Sequence, residues 1–399
     1  MNNIKSKLSD KVVHLEASAI REIFKLLGKP GIISFAGGAP APEMFPTDRL
    51  AEIARNVIRD QGSVALQYGV TEGYAPLVEW VKTRLLSQGI GNPETDGYIT
   101  VSGGQQGIDL AAHSLINPGD GVVCEQPGFI GGLNTFRSYN AELVGVPVQD
   151  DGMDMDELKN ILKAKKIKLI YTIPTFQNPT GITMSLEKRK RLLELASRYD
   201  LMILEDNPYQ DLRFAGEPVA TLKSMDTEGR VVYCGSFTKI LAPGVRVGFV
   251  CAPNELLEKM IICKQTSDVH TNVVGQMLVY EYVTQNSIDE HIANLCALYG
   301  KRCRKMLECI ENYFPKEVTF TRPQGGLFIF CTMPEKYDSK EIMQMALQKN
   351  VAFVPGATTM VDDKKKCSSF RLNYSNMSSE KIEIGIKLLG SVLYSAMNG

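Results

Sequence analysis

At 399 residues, 44% hydrophobic and 22% charged, the chain has the length of two domains and the make-up of an ordinary globular protein. A formal net charge of -1 at pH 7 excludes the broad basic field of a nucleic-acid binder. No uncharged apolar run approaches the length of a membrane span, so the expected partners are small molecules and further copies of the chain.

In chain order, the first ten residues hold no apolar core of signal-peptide length, and a cytoplasmic protein is expected. Ile20, Ile23, Phe24 and Leu27 recur at helical spacing and predict a short amphipathic helix over 18–27. It gives way to Ile32-Ile-Ser-Phe-Ala-Gly-Gly-Ala-Pro-Ala-Pro, a loop whose glycines allow close approach to a ligand. Helices are predicted from Thr47 and again after Gly73, with Leu66-Gln-Tyr68-Gly as a loop between them. From residue 98, apolar strands alternate with amphipathic helices. Strands are read near 98–101, 121–125, 142–148, 169–174, 201–206, 231–234 and 247–252, and helices over 105–116, 131–138, 155–164, 185–199 and 256–264. This is the pattern of an α/β fold: a mostly parallel seven-stranded sheet between helices, with ligands at the carboxyl ends of the strands. A helical stretch over 273–313 leads to strands near 327–331, 351–354 and 369–374 and helices over 339–348 and 379–396, read as a smaller α+β domain.

The unusual residues fall at the strand ends. Val101-Ser-Gly-Gly-Gln-Gln-Gly opens a helix whose free amides suit a phosphate, though a tight strand-to-helix turn reads equally well. Glu125-Gln-Pro-Gly-Phe129 places an aromatic ring on the same edge, and Asn178-Pro-Thr-Gly follows the next strand, where it also serves as a plain turn. Asp206 ends a wholly apolar strand, and a buried carboxylate needs a cation or protonated heterocycle; Tyr209 follows three residues later. Ser236-Phe-Thr-Lys239 and Arg246 sit between two apolar runs, where a desolvated lysine would be a nucleophilic amine, a strand, turn and strand with a solvated lysine reading equally well. Arg371 lies within an apolar strand, and its planar fork suits a carboxylate, a structural salt bridge being the alternative. The nine cysteines include no C-x-x-C pair and the four histidines are scattered, so neither a disulfide framework nor a metal site is expected.

Taken together in this order, with Ser-Ala-Ile-Arg-Glu-Ile and Ile-Ser-Phe-Ala-Gly-Gly-Ala-Pro near the start, the motifs resemble the fold type I pyridoxal-phosphate aminotransferases of class I/II. Within these the chain looks most like the group holding α-aminoadipate and kynurenine aminotransferases and the aminotransferase-like domains of bacterial regulators. The resemblance implies an N-terminal arm over 1–45 belonging partly to the small domain, a large cofactor-binding domain over 46–290 and a small domain over 291–399. It implies pyridoxal 5'-phosphate as cofactor, held as an internal aldimine by Lys239. Asp206 would keep the ring nitrogen protonated, Asn178 and Tyr209 would bond the ring's 3-oxygen, and Phe129 would stack on the ring where many relatives have tyrosine. Gly104, Gln105, Ser236 and Arg246 would bind the phosphate, with Tyr68 reaching it from a second subunit of a homodimer. Arg371, with Asn178 and the Gly38 backbone, would take the substrate α-carboxylate. Arg21 would be a cation for the side chain of an acidic substrate, or a surface-helix residue.

The expected reaction moves the amino group of an L-α-amino acid to a 2-oxo acid such as 2-oxoglutarate by a ping-pong route. Three alternatives stand beside it. A C–S lyase or decarboxylase on the same fold would keep these residues, because substrate pose decides which bond breaks. A regulatory cofactor-binding domain would need a winged helix and linker ahead of it. A serine hydrolase of the S-x-x-K type would add S-D-N and K-T-G, whereas Ser267-Asp268 is followed by Val269 and no K-T-G occurs.

Overall fold

The computed structural model describes residues 4–13 and 31–398; the helix predicted over 18–27, and Arg21 with it, lie outside them. After β1 (Ile33–Ser34), the strands of the large sheet are β2 (Asp96–Val101), β3 (Gly121–Gln126), β4 (Glu142–Gln149), β5 (Gly152–Met153), β6 (Ile167–Thr172), β7 (Met202–Asp206), β8 (Val231–Ser236) and β9 (Gly248–Pro253). They lie in the order β2-β9-β8-β7-β6-β3-β4-β5. All seven predicted strands are present within a residue or two of their expected limits. The eighth, β5, is a two-residue return of the chain against the end of β4, too short to carry a period.

Strands β8, β7, β6, β3 and β4 run parallel, whereas β9 runs antiparallel to both its neighbours. This inversion matters for the site. The beginning of β9 lies on the edge where the other strands end, so Arg246, just before β9, joins the residues that follow β2, β3, β6, β7 and β8. Side chains alternate across the sheet as the pleat requires. Val123, Ile170 and Ile203 pack on one face with the helices Met155–Ala164 and Leu186–Arg198. Val122, Cys124, Leu169, Tyr171 and Leu204 face the other, under the helix Gly104–Leu115.

Side-chain caps set several helix starts. Asp154 accepts from the amides of Asp156 and Glu157, and Ser185 accepts from that of Lys188. The stretch predicted as one long helix is two, Val273–Gln285 and Ile288–Tyr313. Its break is a cap that sequence periodicity overlooks: Ser287 accepts from the Glu290 amide and restarts the helix.

A smaller antiparallel sheet follows, with β10 (Thr319–Phe320), β11 (Phe328–Thr332), β13 (Val354–Pro355) and β14 (Ser369–Asn373) in the order β10-β11-β14-β13. The helices Ser339–Gln348 and Ser379–Asn398 accompany it. The segment read as a loop from Ile32 contains β1, which pairs in parallel with β12 (Val351–Ala352). Its extension is held by the Phe35 amide donating to Ala352 and the Asn373 amide donating to the Phe35 carbonyl. Two residues of edge pairing leave no pattern to read, but they fix Gly37 and Gly38 beside β14. Among the described residues no helix is long and apolar enough to cross a membrane, and no His/Cys/Asp/Glu group could hold a metal ion.

Candidate active site

The strand ends converge on a cavity of about 620 Å³ whose wall includes Gly38, Gly104, Gln105, Phe129, Asn178, Asp206, Tyr209, Ser236, Lys239, Arg246 and Arg371. Every residue singled out from sequence is therefore in one place, apart from Tyr68 and the undescribed Arg21. Tyr68 is 82% exposed, with its ring edge-on to His270 at 5.9 Å, and takes no part in the cavity wall of its own chain.

Two cationic groups bracket the cavity. Arg371, on β14 and 5% exposed, donates from Nη1 to Asn178 Oδ1 at 2.8 Å and from Nη2 to the Ala36 carbonyl at 2.6 Å. Its guanidinium lies 4.2 Å over the Phe328 ring, and its Nε is buried with no partner. Burial pushes it down to about 10, so it stays charged at neutral pH. A buried fork with its Nε–H unpartnered and two of its five N–H groups spent calls for an anion of carboxylate shape. Asn178 in turn hydrogen-bonds the Tyr209 phenol, which burial holds well above its ordinary value and therefore neutral.

At the other end, the helix Gly104–Leu115 starts without a side-chain cap, leaving its first amides uncapped at the cavity wall. Its N-cap, Gly103, has φ +83, and a Cβ there would lie 2.3 Å from Arg246 Nη2. Only glycine lets Arg246 lie across this turn, where Nη2 donates to the Ser102 carbonyl at 3.0 Å. Arg246 itself takes the left-handed region at φ +52, a cost that a non-glycine residue sustains when its surroundings hold it. Ser236 Oγ donates to Thr238 Oγ1 at 2.8 Å and accepts from the Thr238 amide. An uncapped helix start, a hydroxyl pair and an arginine make a pocket for a phosphate.

Between these poles lie the amine and the acid. Lys239 Nζ donates to the Gly38 carbonyl at 2.8 Å. Burial, then the charges of Arg371 and Arg246, lower its amine to about 8, with Asp206 opposing. Asp206, 4% exposed at the end of β7, accepts from the Tyr171 hydroxyl at 2.9 Å; burial raises it to about 7. Phe129 begins the helix Ile130–Ser138 and forms a wall. Sequence reasoning did not single out Tyr171, Thr238 or Phe328. Tyr171 and Phe328 sit inside apolar strands and read as core, while Thr238 could have been inferred from its place between Ser236 and Lys239.

The cavity thus has an arginine and an uncapped helix start at one end, a second arginine at the other, and an amine and an acid between them. In comparison with known proteins, residues 36–389 match the model of the family described as aminotransferase class I and II. The chain belongs to that family, and is an aminotransferase with pyridoxal phosphate as its cofactor.

Among its relatives, the aromatic-amino-acid aminotransferase 1 of Thermococcus litoralis is 42% identical over 398 residues, covering 98% of this chain and 94% of the relative. A kynurenine aminotransferase from Pyrococcus horikoshii, solved with PMP, substrate and product, superposes with a TM-score of 0.95 at 39% identity, covering 100% of this chain and 99% of the other. An α-aminoadipate aminotransferase from Thermus thermophilus, complexed with N-(5'-phosphopyridoxyl)-L-leucine, gives a TM-score of 0.92 at 35% identity over 98% of each chain.

Proposed function

We propose that this chain transfers the amino group of an L-amino acid with a bulky, largely apolar side chain to a 2-oxo acid, and that the residues of the cavity divide the work as follows. The observation that carries the reading is a half-buried Lys239 amine, lowered to about 8, set between the Asp206 carboxylate and the Arg371 guanidinium in one cavity. The residues fit the cofactor on their own chemistry: an uncapped helix start and Arg246 for a phosphate, and a buried carboxylate for a protonated ring nitrogen. Pyridoxal phosphate, when bound, supplies an aldehyde that captures amines and a ring that withdraws electrons from the substrate Cα.

Lys239 would hold the cofactor through its amine and would take and return the substrate Cα proton at Nζ. Asp206 holds a proton on the ring nitrogen. Asn178 and Tyr209 face the ring oxygen, and Phe129 covers one ring face. Gly104, Gln105, Ser236 and Arg246 hold the phosphate. Arg371 orients the substrate by its carboxylate, with Asn178 and the Gly38 backbone beside it. The cations of the cavity among the described residues, Lys239, Arg246 and Arg371, are thus all engaged, and the remaining wall includes Ile108, Ile130 and Ile173. This favours an apolar side chain, as does the name of the Thermococcus litoralis relative.

The test follows the cofactor's visible spectrum when L-amino acids are added to the purified protein. Aromatic donors should convert it to the pyridoxamine form, and 2-oxoglutarate should reverse the change. Release of pyruvate or ammonia without dependence on a 2-oxo acid would favour lyase chemistry instead, and a preference for 2-aminoadipate over phenylalanine would sink the apolar assignment.

Because burial lowers the Lys239 amine to about 8, its neutral fraction climbs from about a tenth at pH 7 to about nine-tenths at pH 9. Capture of added pyridoxal phosphate by cofactor-free protein should therefore quicken about 10-fold over that range and then level off. A rate that keeps rising toward pH 10.5 would show an ordinary lysine.

The proposed active form is a homodimer in which Tyr68 reaches the phosphate of the other subunit. Its support is the exposure of Tyr68 together with that of Leu66 and Val70, an apolar group that a lone chain rarely leaves in water. Mixing weakened Tyr68→Ala chains with inactive Lys239→Ala chains should add native-like sites amounting to about a quarter of the native rate, since random pairing makes half the dimers mixed and gives each one intact site. No regeneration after exchange of subunits would rule out the shared site.

A further inference from the structure

We propose that Tyr171 is the positioning residue that keeps Asp206 ionised, and through it keeps the proton on the heterocycle nitrogen: its hydroxyl is aimed from β6 at Asp206 Oδ2, 2.9 Å away, behind the cavity wall. The inference rests on the reading that Asp206 faces the ring nitrogen.

Tyr171 is 1% exposed and sits in the middle of the parallel sheet, opposite Cys124 of β3 and Leu204 of β7. Its ring is clamped. Phe136 meets it edge-on at 5.4 Å, and Gly132 lies so close that a Cβ there would stand 2.6 Å from Cε1. The helix Ile130–Ser138 is thus pressed onto the ring, and the hydroxyl has one partner to serve. Among the described residues no other group donates a hydrogen bond to Asp206.

The charges around Asp206 make this single donor decisive. Burial favours the neutral acid, and two groups oppose it, the Tyr171 hydroxyl first and the Lys239 charge second. Lys239 is itself pushed toward neutrality by burial and by Arg371 and Arg246. The other ionisable groups that face Asp206 do not replace it. Cys234 on β8 and Tyr209 after β7 are held neutral by burial. Glu125, at the end of β3, adds a negative charge when ionised and drives Asp206 the wrong way. What remains is one O–H donor. With it, the shared proton sits on the ring nitrogen and the carboxylate is an anion; without it, the proton moves to Asp206 and the ring loses its positive charge. No bond other than that to this proton changes.

The experiment uses Tyr171→Phe in two states of the protein. In the cofactor-free form, the infrared carboxyl band that Asp206→Asn removes should titrate about 1 to 2 pH units higher in Tyr171→Phe, the shift that loss of a hydrogen bond to a charged group gives. Loaded with cofactor labelled with ¹⁵N in the ring, Tyr171→Phe should move the nitrogen resonance toward unprotonated pyridine. Its kcat should fall about 10- to 100-fold, while KM for the amino acid stays within about twofold. Site-specific 3-fluorotyrosine at 171, a stronger donor of nearly the same shape, should move the Asp206 titration the opposite way and serves if the phenylalanine variant does not fold. An unmoved Asp206 band overturns the inference. So does a ring-nitrogen resonance that Asp206→Asn shifts and Tyr171→Phe leaves alone, in which case the role of Asp206 stands. If neither variant shifts it, both readings fall.

Discussion

Lys239→Ala loses turnover by at least about 10³-fold, the range that removal of a nucleophile or proton-transfer group brings, and the loaded protein no longer shows the native visible band. The size of the effect follows from the site's isolation. Nζ is held at 2.8 Å from the Gly38 carbonyl, and among the described residues of the cavity it is the one amine. Arg246 and Arg371 cannot substitute, because a guanidinium does not give up its proton at working pH. A small amine such as methylamine, diffusing into the cavity, should restore part of the rate. Retention of more than about a hundredth of native turnover by Lys239→Ala alone would remove the lysine from the mechanism.

Arg371→Met should reduce kcat/KM for amino acids by about 30- to 5,000-fold, chiefly through KM, as truncating a buried, hydrogen-bonded charge costs about 2–5 kcal/mol. The side chain is held in place with donors to spare. It is 5% exposed, stacked at 4.2 Å on Phe328, and donates through both terminal nitrogens to Asn178 and Ala36, with Nε free. Methionine retains much of the volume and leaves an incoming carboxylate with no charged partner. Arg371→Lys should recover little, since an ammonium supplies charge but not the planar fork. Amines without a carboxylate should lose nothing in either variant. An equal loss on amines and amino acids would mean that Arg371 supports the fold and does not read the substrate.

Much of this site was legible in the sequence because its parts stand at strand ends, where a polar residue interrupts an apolar run. Asp206 after Met202–Glu205, Asn178 after Ile167–Thr172 and Lys239 after Val231–Ser236 are such interruptions, and a parallel sheet brings them to one edge. The direction of β9 was not legible. An apolar strand of six residues reads alike in either sense, although here the antiparallel sense is what delivers Arg246 to the site. Tyr171 was hidden for a related reason: in a strand buried on both faces, a tyrosine that donates one hydrogen bond looks like any other core ring. The break between Gln285 and Ile288 depended on a serine cap inside a continuous helical period, which a count of apolar spacings passes over. Tyr68 read as a loop residue and is one. Its proposed role depends on a surface of another subunit, and a single chain's sequence carries no such geometry.

The short pairing of β1 with β12 has a consequence for binding that reaches beyond its two residues. Gly38 and Arg371 are far apart in the chain, and in a loose N-terminal segment their separation would wander with every crankshaft motion of the backbone between them. The ladder from Ile33 to Phe35, tied to Ala352 on one side and Asn373 on the other, couples the segment to the sheet that carries Arg371. The disorder of bringing these two groups together is then removed when the protein folds and not again when a substrate arrives. On the proposed assignment, an amino acid's carboxylate would meet a template already set when the protein folds.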